Sequence, residues 1–345
     1  MSEPVRVAVL MGGASSEHDV SLASAAAVID ALDPARYAVT PVLISREGDW
    51  SAAGHPVALA RDGAGAPALI DVAGGGAEPV DVVFPVLHGP NGEDGTVQGL
   101  LECAGVPYVG AGVAASAVAM DKDLFKCLLC QAGIPTAEWV TVTADRWAAE
   151  PDAVREVVER EAGYPAFVKP ARLGSSVGIS RVPGPDALDA AMELALRHDP
   201  KVLVERGITG REIEVGVLGE DPPVVSPVGE IAYDSEWYDY ETKYQPGRMR
   251  LRVPADIPEA VAGTARDLAA RAFRAVECAG LARVDFFHAD DGRVLLSELN
   301  TMPGFTSTSV YAALMAAGGI EYPDLVDRLV ALAIARRERA RAYLG

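Results

Sequence analysis

The chemistry open to this chain is concentrated in four places. Residues 169–178 (KPARLGSSVG) join two short apolar runs, 166–170 and 179–182. Small residues let a backbone close around a phosphate chain and aim its N–H groups at it, and Lys169 adds a point charge. The segment joins two strands and lacks GK[ST] leading into a helix, so it is not a Walker loop. Taken alone, it also describes an ordinary tight hairpin. The second place is Arg283-Val284-Asp285 with Glu298-Leu299-Asn300. Strand alternation sets the two polar side chains of each triplet on one face. Two carboxylates and an amide form the all-oxygen donor set that magnesium prefers. Arg283, on that face, is suited to hold a carboxylate or a phosphoryl group in transfer. A surface salt-bridge cluster is the plain alternative.

The third place is Glu205, ending the run KVLVE, with Glu212 after a glycine-bearing turn. Such acceptors suit an exocyclic amino group and sugar hydroxyls, although two glutamates at this spacing carry little by themselves. The fourth is the loop 12–21 (GGASSEHDVS) with His88-Gly89 and 92–96 (GEDGT). A glycine-rich turn after a strand commonly serves a ligand. A lone histidine such as His88 has the plain reading of a hydrogen-bonded loop residue.

The elements that must position these residues follow from the spacing. Residues 5–11 and 81–87 read as buried strands, 21–32 and 96–104 as helices, and the Gly-, Ala- and Pro-rich stretch 53–79 as a mostly irregular connection. Strand–loop–helix alternation over residues 1 to about 120 predicts a small parallel-sheet domain with ligand-bearing loops at its strand C-termini. A helix is expected over 121–133, strands over 201–205, 212–218 and 224–230, and a long polar, aromatic, lid-like loop over 232–250. A helix over 259–279, a strand pair 281–287 and 293–298 around Asp290-Asp291-Gly292, a turn-rich loop 300–309 and a helical, basic C-terminus complete an α/β chain.

At 345 residues, the chain is long enough for two or three domains. Its net charge of −19 argues against nucleic acid and anionic membranes as partners, and it requires a polyanionic substrate to be met by locally gathered cations. No apolar run reaches the roughly 18 residues of a membrane span. The N-terminus does not read as a signal peptide, so a cytoplasmic location is expected. Cys103, Cys127, Cys130 and Cys278 include one CxxC pair on a helix with no second pair or nearby histidine. They read as reduced core residues, not zinc ligands.

Taken together, these segments resemble the D-alanine–D-alanine ligase family of the ATP-grasp superfamily, over nearly the whole chain. The family's signatures occur in order: GGASSEHDVSLAS at 12–24, HGPNGEDGTVQG at 88–99, MDK at 120–122, KPARLGSSVG at 169–178, YDYETKY at 238–244, ARVDFF at 282–287 and ELNTMPGFTSTSVY at 298–311. The resemblance implies a Rossmann-like N-terminal domain (1–121) that does not bind NAD, a central ATP-grasp subdomain (122–210), and a C-terminal one (211–345) with a lid at 232–252. It implies ATP, and two magnesium ions replaceable by manganese, held by Asp285, Glu298 and Asn300. Lys122, Lys169, Ser175, Ser176 and Lys243 would contact the nucleotide, with Glu205 at the adenine and Glu212 at the ribose. Glu17, His88, Arg283 and the N–H of Gly304 would hold the first D-alanine, and Ser309 with the backbone of Val310 the second. Ser175, Tyr244 and Glu17 would link the glycine-rich loop, the lid and the substrate. A homodimer is also implied.

The implied reaction forms D-alanyl phosphate from ATP and D-alanine, then D-alanyl-D-alanine for peptidoglycan synthesis. Ser307 and Ala312 stand where relatives commonly carry proline, and 171–173 is variable, so fine substrate preference stays open. A D-lactate-using depsipeptide ligase is disfavoured by Lys243-Tyr244. A catalytically silent relative is disfavoured because the metal ligands and phosphate lysines are present. An NAD-dependent dehydrogenase is excluded because GGASSE is not GxGxxG.

Overall fold

The computed structural model describes residues 3–233 and 249–344. Its strands form three sheets. The first comprises β1 (Val5–Gly12), β2 (Tyr37–Ile44), β3 (Trp50–Ala52), β4 (His55–Arg61), β5 (Pro67–Asp71), β6 (Ala77–Pro79) and β7 (Val82–Pro85), in the order β6-β5-β4-β3-β2-β1-β7. The second comprises β8 (Trp139–Thr143), β9 (Ala166–Pro170), β10 (Ser180–Val182) and β11 (Lys201–Arg206), in the order β10-β9-β11-β8. The third comprises β12 (Gly210–Gly219), β13 (Val224–Tyr233), β14 (Met249–Arg252), β15 (Gly280–Ala289) and β16 (Val294–Asn300), in the order β14-β13-β12-β15-β16. The α-helices are α1 (His18–Ala31), α2 (Thr96–Ala104), α3 (Val113–Met120), α4 (Lys122–Gln131), α5 (Ala144–Ala149), α6 (Pro151–Glu161), α7 (Leu188–Leu196), α8 (Glu259–Ala275), α9 (Val310–Ala317) and α10 (Tyr322–Leu344).

Alternation decides which face of each sheet meets a helix and which is left for chemistry. In the first sheet, Val7 and Val9 pack toward α1 and α10, while Ala8 and Leu10 pack toward Val97 and Leu101 of α2. In the second sheet, Val140, Val142, Ala166, Val168, Val202 and Val204 share a core with α6 and α7. The intervening residues Phe167, Lys169, Leu203 and Glu205 therefore lie on the opposite face. In the third sheet, Ile213, Val215, Ala282, Val284 and Leu296 bury against α8, which leaves Glu212, Glu214, Arg283, Asp285, Glu298 and Asn300 on the other side.

Four expectations need correction. The first sheet is mixed: β1 pairs in parallel with β2 and β7, but β3 to β6 add antiparallel strands. The stretch 53–79 accordingly holds strands, with Leu59 opposite Leu69 and Ala60 opposite Ala68. Its Gly- and Pro-rich character belongs to the turns, where Asp62 Oδ1 accepts from the N–H of Ala64 and Ala66, and Asp71 Oδ1 from Ala73 and Gly74. The two ends of the expected lid-like loop are strand, because β13 runs to Tyr233 and β14 starts at Met249, with Ile231 paired to Leu251; residues 234–248 lie outside the described residues. Cys103, Cys127 and Cys130 are exposed, and only Cys278 is buried. On α4 the inward face carries Phe125, Lys126 and Leu129, which turns the two cysteines outward. Among the described residues, no helix is long and apolar enough to cross a membrane.

Ser21, fully buried on α1, ties the first sheet to that helix. Its Oγ accepts from the N–H of Gly12 at 2.8 Å and donates to the carbonyl of Val86. Ser21→Ala leaves two buried backbone groups without a partner, a loss of about 1–3 kcal/mol each at most. Urea unfolding should show a lower midpoint with an unchanged slope, whereas an unchanged midpoint would mean that water or another side chain takes over both groups.

Candidate active site

A cavity of about 540 Å³ lies between the second and third sheets, within the size range of small-molecule sites. Lys122, Phe167, Lys169, Ser175 and Ser176 line one side. Glu212, Glu214, Arg283, Asp285 and Glu298 line the other. A smaller cavity of about 170 Å³ lies between Ser15, Ser16 and Glu17 of the N-terminal loop and Leu173, Gly174 and Val177 of the glycine-rich loop.

The glycine-rich loop joins antiparallel strands, with Ser180 opposite Val168. Ser175 and Ser176 both adopt positive φ, 53° and 57°, a region that residues with a Cβ occupy at a cost. Ser175 Oγ donates to Glu17 Oε1 at 2.5 Å, so the loop tip reaches the N-terminal loop. The loop's base is held twice. Lys122 donates from Nζ to the carbonyl of Leu173 at 2.6 Å and from its backbone N–H to Ala171 at 3.0 Å. Arg172 binds buried Asp199 through its backbone and guanidinium. Lys122 is placed by α4, whose N-cap Asp121 accepts from the N–H of Leu124.

Across the cavity, register places Arg283 opposite Asn300 and Asp285 opposite Glu298. Arg283 makes two hydrogen bonds to Asp285, at 2.8 and 2.6 Å, and lies 3.1 Å from Glu214. Burial opposes its charge, but Asp285 and Glu214 outweigh that and hold the guanidinium protonated well above its usual range. Asn300 Nδ2 donates to Asp285 Oδ2 at 3.0 Å. A rotation about its terminal torsion would present the amide oxygen instead. Asp285, Glu298 and Asn300 are thus hard oxygen donors on neighbouring strands, compatible with magnesium. Among the described residues, no group of three or more His, Cys, Asp or Glu side chains is gathered to hold a metal by itself. Magnesium commonly takes one or two carboxylates and completes its shell with phosphate and water, so this donor set fits.

Other expected residues are placed as follows. Glu212 lines the cavity from β12. Glu205 does not line it: buried behind Lys169, its carboxylate lies 2.8 Å from Lys169 Nζ and 2.9 Å from Lys126 Nζ. Burial alone would raise its pKa, but the two ammonium groups outweigh it and bring it down to about 2. His88 is buried outside both cavities. Its Nδ1 lies 3.0 Å from the carbonyl of Met302, which can only accept, so Nδ1 is the donor there, and its Nε2 lies 3.3 Å from Ser24 Oγ. Gly304, Ser309 and Val310 lie on the segment from β16 into α9 and are not among the residues lining either cavity. Ser309 Oγ accepts from the N–H of Thr306 at 2.9 Å, and Phe305 anchors the segment against Phe84, Tyr311 and Tyr322. Lys243 and Tyr244 lie outside the described residues.

Sequence reasoning missed Lys126, Glu214 and Glu93. Glu93 sits inside the quoted HGPNGEDG segment, and its neighbours gave a signal that was not read: a carboxylate between glycines can accept backbone N–H bonds. It accepts from Gly89 at 2.7 Å and from Met302 at 3.3 Å. Burial, then the nearby charge of Glu17, raises its pKa to about 8.

Comparison with known proteins adds the family. Residues 6–111 match the family model described as D-ala D-ala ligase N-terminus, and residues 128–331 match D-ala D-ala ligase C-terminus. The D-alanine--D-alanine ligase of Deinococcus radiodurans is 50% identical over 337 residues, covering 96% of this chain and 99% of that protein. That of Geobacillus kaustophilus is 47% identical over 354 residues, covering 96% and 95%. Among solved structures, the D-alanine-D-alanine ligase from Coxiella burnetii superposes with a TM-score of 0.88 at 35% identity, covering 99% of this chain and 97% of that one. The VanG D-Ala:D-Ser ligase from Enterococcus faecalis gives 0.86 at 36% identity, covering 96% and 100%.

The raised pKa of Glu93 has a consequence for stability. The folded state binds this proton more tightly than the unfolded chain. The stabilisation is full below about 4.5 and is lost as pH rises through about 8. Glu93→Gln should therefore flatten the fall in melting temperature between pH 6 and 9. Parallel declines in wild type and variant would show that Glu93 is already ionised in the folded protein.

Proposed function

The chain belongs to the D-alanine–D-alanine ligase family, and we propose that it uses ATP to join two D-alanine molecules through a D-alanyl phosphate. The observation that carries this reading is the reach of the glycine-rich loop: Ser175 on its tip donates to Glu17, while its base is tied to Lys122. A phosphate-binding loop is thereby joined to the acid proposed to hold the amino group of the first substrate.

In this reading, the first D-alanine lies with its ammonium toward Glu17 and its carboxylate toward Arg283 and the N–H of Gly304. Lys122 and Lys169 draw the triphosphate along the cavity, and Ser175 and Ser176 close over its end. The substrate carboxylate takes the γ-phosphoryl group, ADP leaves, and the acyl carbon gains a good leaving group. Ser309 and the backbone of Val310 orient the second D-alanine by its carboxylate, and its neutral amine attacks the acyl carbon. Arg283 and the Gly304 N–H then face the oxyanion, and phosphate departs. Asp285, Glu298 and Asn300 would hold magnesium, with manganese as a substitute, and the metal would supply positive charge against the phosphate oxygens. Positioning and charge stabilisation do the work. Lys243 and Tyr244 are proposed to cover the site and help keep water from the acyl phosphate. A homodimer, a cytoplasmic setting and a role in peptidoglycan precursor synthesis complete the proposal.

The direct test follows phosphate release and product mass with ATP, magnesium and D-alanine, beside L-alanine, D-lactate and D-serine arms. D-alanyl-D-alanine formed only with the D-amino acid is expected. Turnover only when D-serine or D-lactate is the second substrate would keep the acyl phosphate chemistry and change the product; silence in every arm would overturn the reading. Asp285→Asn should lower kcat/KM on the order of 100-fold or more and raise the magnesium requirement in a protein that still folds, its melting temperature lowered by the lost charge partner of Arg283. Near-normal turnover and metal dependence would remove Asp285 from the metal site.

A further inference from the structure

We propose that Lys126 is a positioning residue for nucleotide binding: it neutralises Glu205 from behind, so that Lys169 meets the nucleoside triphosphate with its positive charge intact. The inference deepens the function proposed above and rests on the cavity being an ATP site. Lys126 is 1% exposed and does not line the cavity. Its Nζ lies 2.9 Å from Glu205 Oε2, donates to Thr136 Oγ1 at 2.7 Å and to the carbonyl of Ala137 at 3.1 Å, and stands 5.3 Å from the Trp139 ring. Every donor direction of the ammonium is used inside the protein. Glu205 spends its other oxygen on Lys169, at 2.8 Å, and only Lys169 reaches the cavity wall.

The three charges sum to one positive charge, and the geometry delivers it at the cavity. Removing Lys126 leaves Lys169 and Glu205 as a neutral pair. A buried carboxylate without its second cation would then compete with phosphate oxygens for the Lys169 ammonium. Register makes the arrangement rigid: Leu203 pairs with Lys169, and Glu205 with both Phe167 and Trp139. Glu205 thus bears on the nucleotide through Lys169. If Lys126 served only packing, replacing it with an apolar residue of similar length would leave nucleotide affinity alone.

The test measures Mg·ATP and Mg·ADP binding by calorimetry, with KM for ATP and for D-alanine, in wild type, Lys126→Met, Lys126→Arg and Lys126→Met/Glu205→Gln. Lys126→Met should weaken nucleotide binding roughly 10- to 100-fold. It should raise KM for ATP similarly while leaving the D-alanine KM and kcat at saturating ATP close to wild type. Lys126→Arg should restore most of the loss. The double variant should recover about tenfold or more over Lys126→Met, because Lys169 is released from the carboxylate. Should Lys126→Met fail to fold, the double variant carries the test, since it lacks the uncompensated buried charge: nucleotide affinity within about tenfold of wild type is expected, and a larger loss overturns the proposal. Unchanged affinity in folded Lys126→Met, or a double variant no better than the single, also overturns it and leaves the ligase function standing. Wild-type protein that binds no ATP removes both.

Discussion

Charge brought into a cleft has to be balanced, and the two sheets facing the central cavity are built around that constraint. On one side buried Lys126 and Glu205 and the cavity-lining Lys169 form a row held at 2.9 and 2.8 Å. On the other, Arg283 sits among Asp285, Glu214 and Glu298. One wall carries excess positive charge and the other excess negative charge. A phosphate chain with its metal is the kind of guest that complements both, since the anion meets the lysines and the cation meets the carboxylates. In a chain of net charge −19, local arrangement is the means by which an anion can be drawn to this cleft.

The N-terminal unit and the segment after β16 are locked to this cleft by short polar links over an aromatic core. His88 bridges Met302 and Ser24, Ser24 Oγ accepts from the N–H of Phe305, and Glu93 accepts from Met302. Phe305 is fully buried among Phe84, Tyr311 and Tyr322, and the Tyr322 hydroxyl donates to its carbonyl at 2.7 Å. The glycine-rich loop is fixed at its base by Asp199 and Lys122, and its tip is hydrogen-bonded to the N-terminal loop through Ser175.

Much of the cleft was legible in advance because strand alternation is local. Once 283–285 and 298–300 are strands, period two puts Arg283, Asp285, Glu298 and Asn300 on common faces, and the observed register joins those faces. The hairpin around residues 171–178 was readable for the same reason. Lys126 was not. On α4 the composition favours burying Cys127 and Cys130 and exposing the lysine, and the reverse occurs. A lysine is buried here only because Glu205, from a strand distant in sequence, and Thr136 supply its partners.

The sequence by itself determined the order of the motifs, the alternation that presents oxygen donors and cations in pairs, and thereby the family. Tertiary structure alone decided which charges became partners: that Glu205 turns to two lysines, that Glu93 is buried near Glu17, and that the Gly-rich stretch 53–79 pairs as strands. The physical reason is that pairing and burial are set by what the rest of the chain brings within a few ångströms, and local propensity carries no record of that distance.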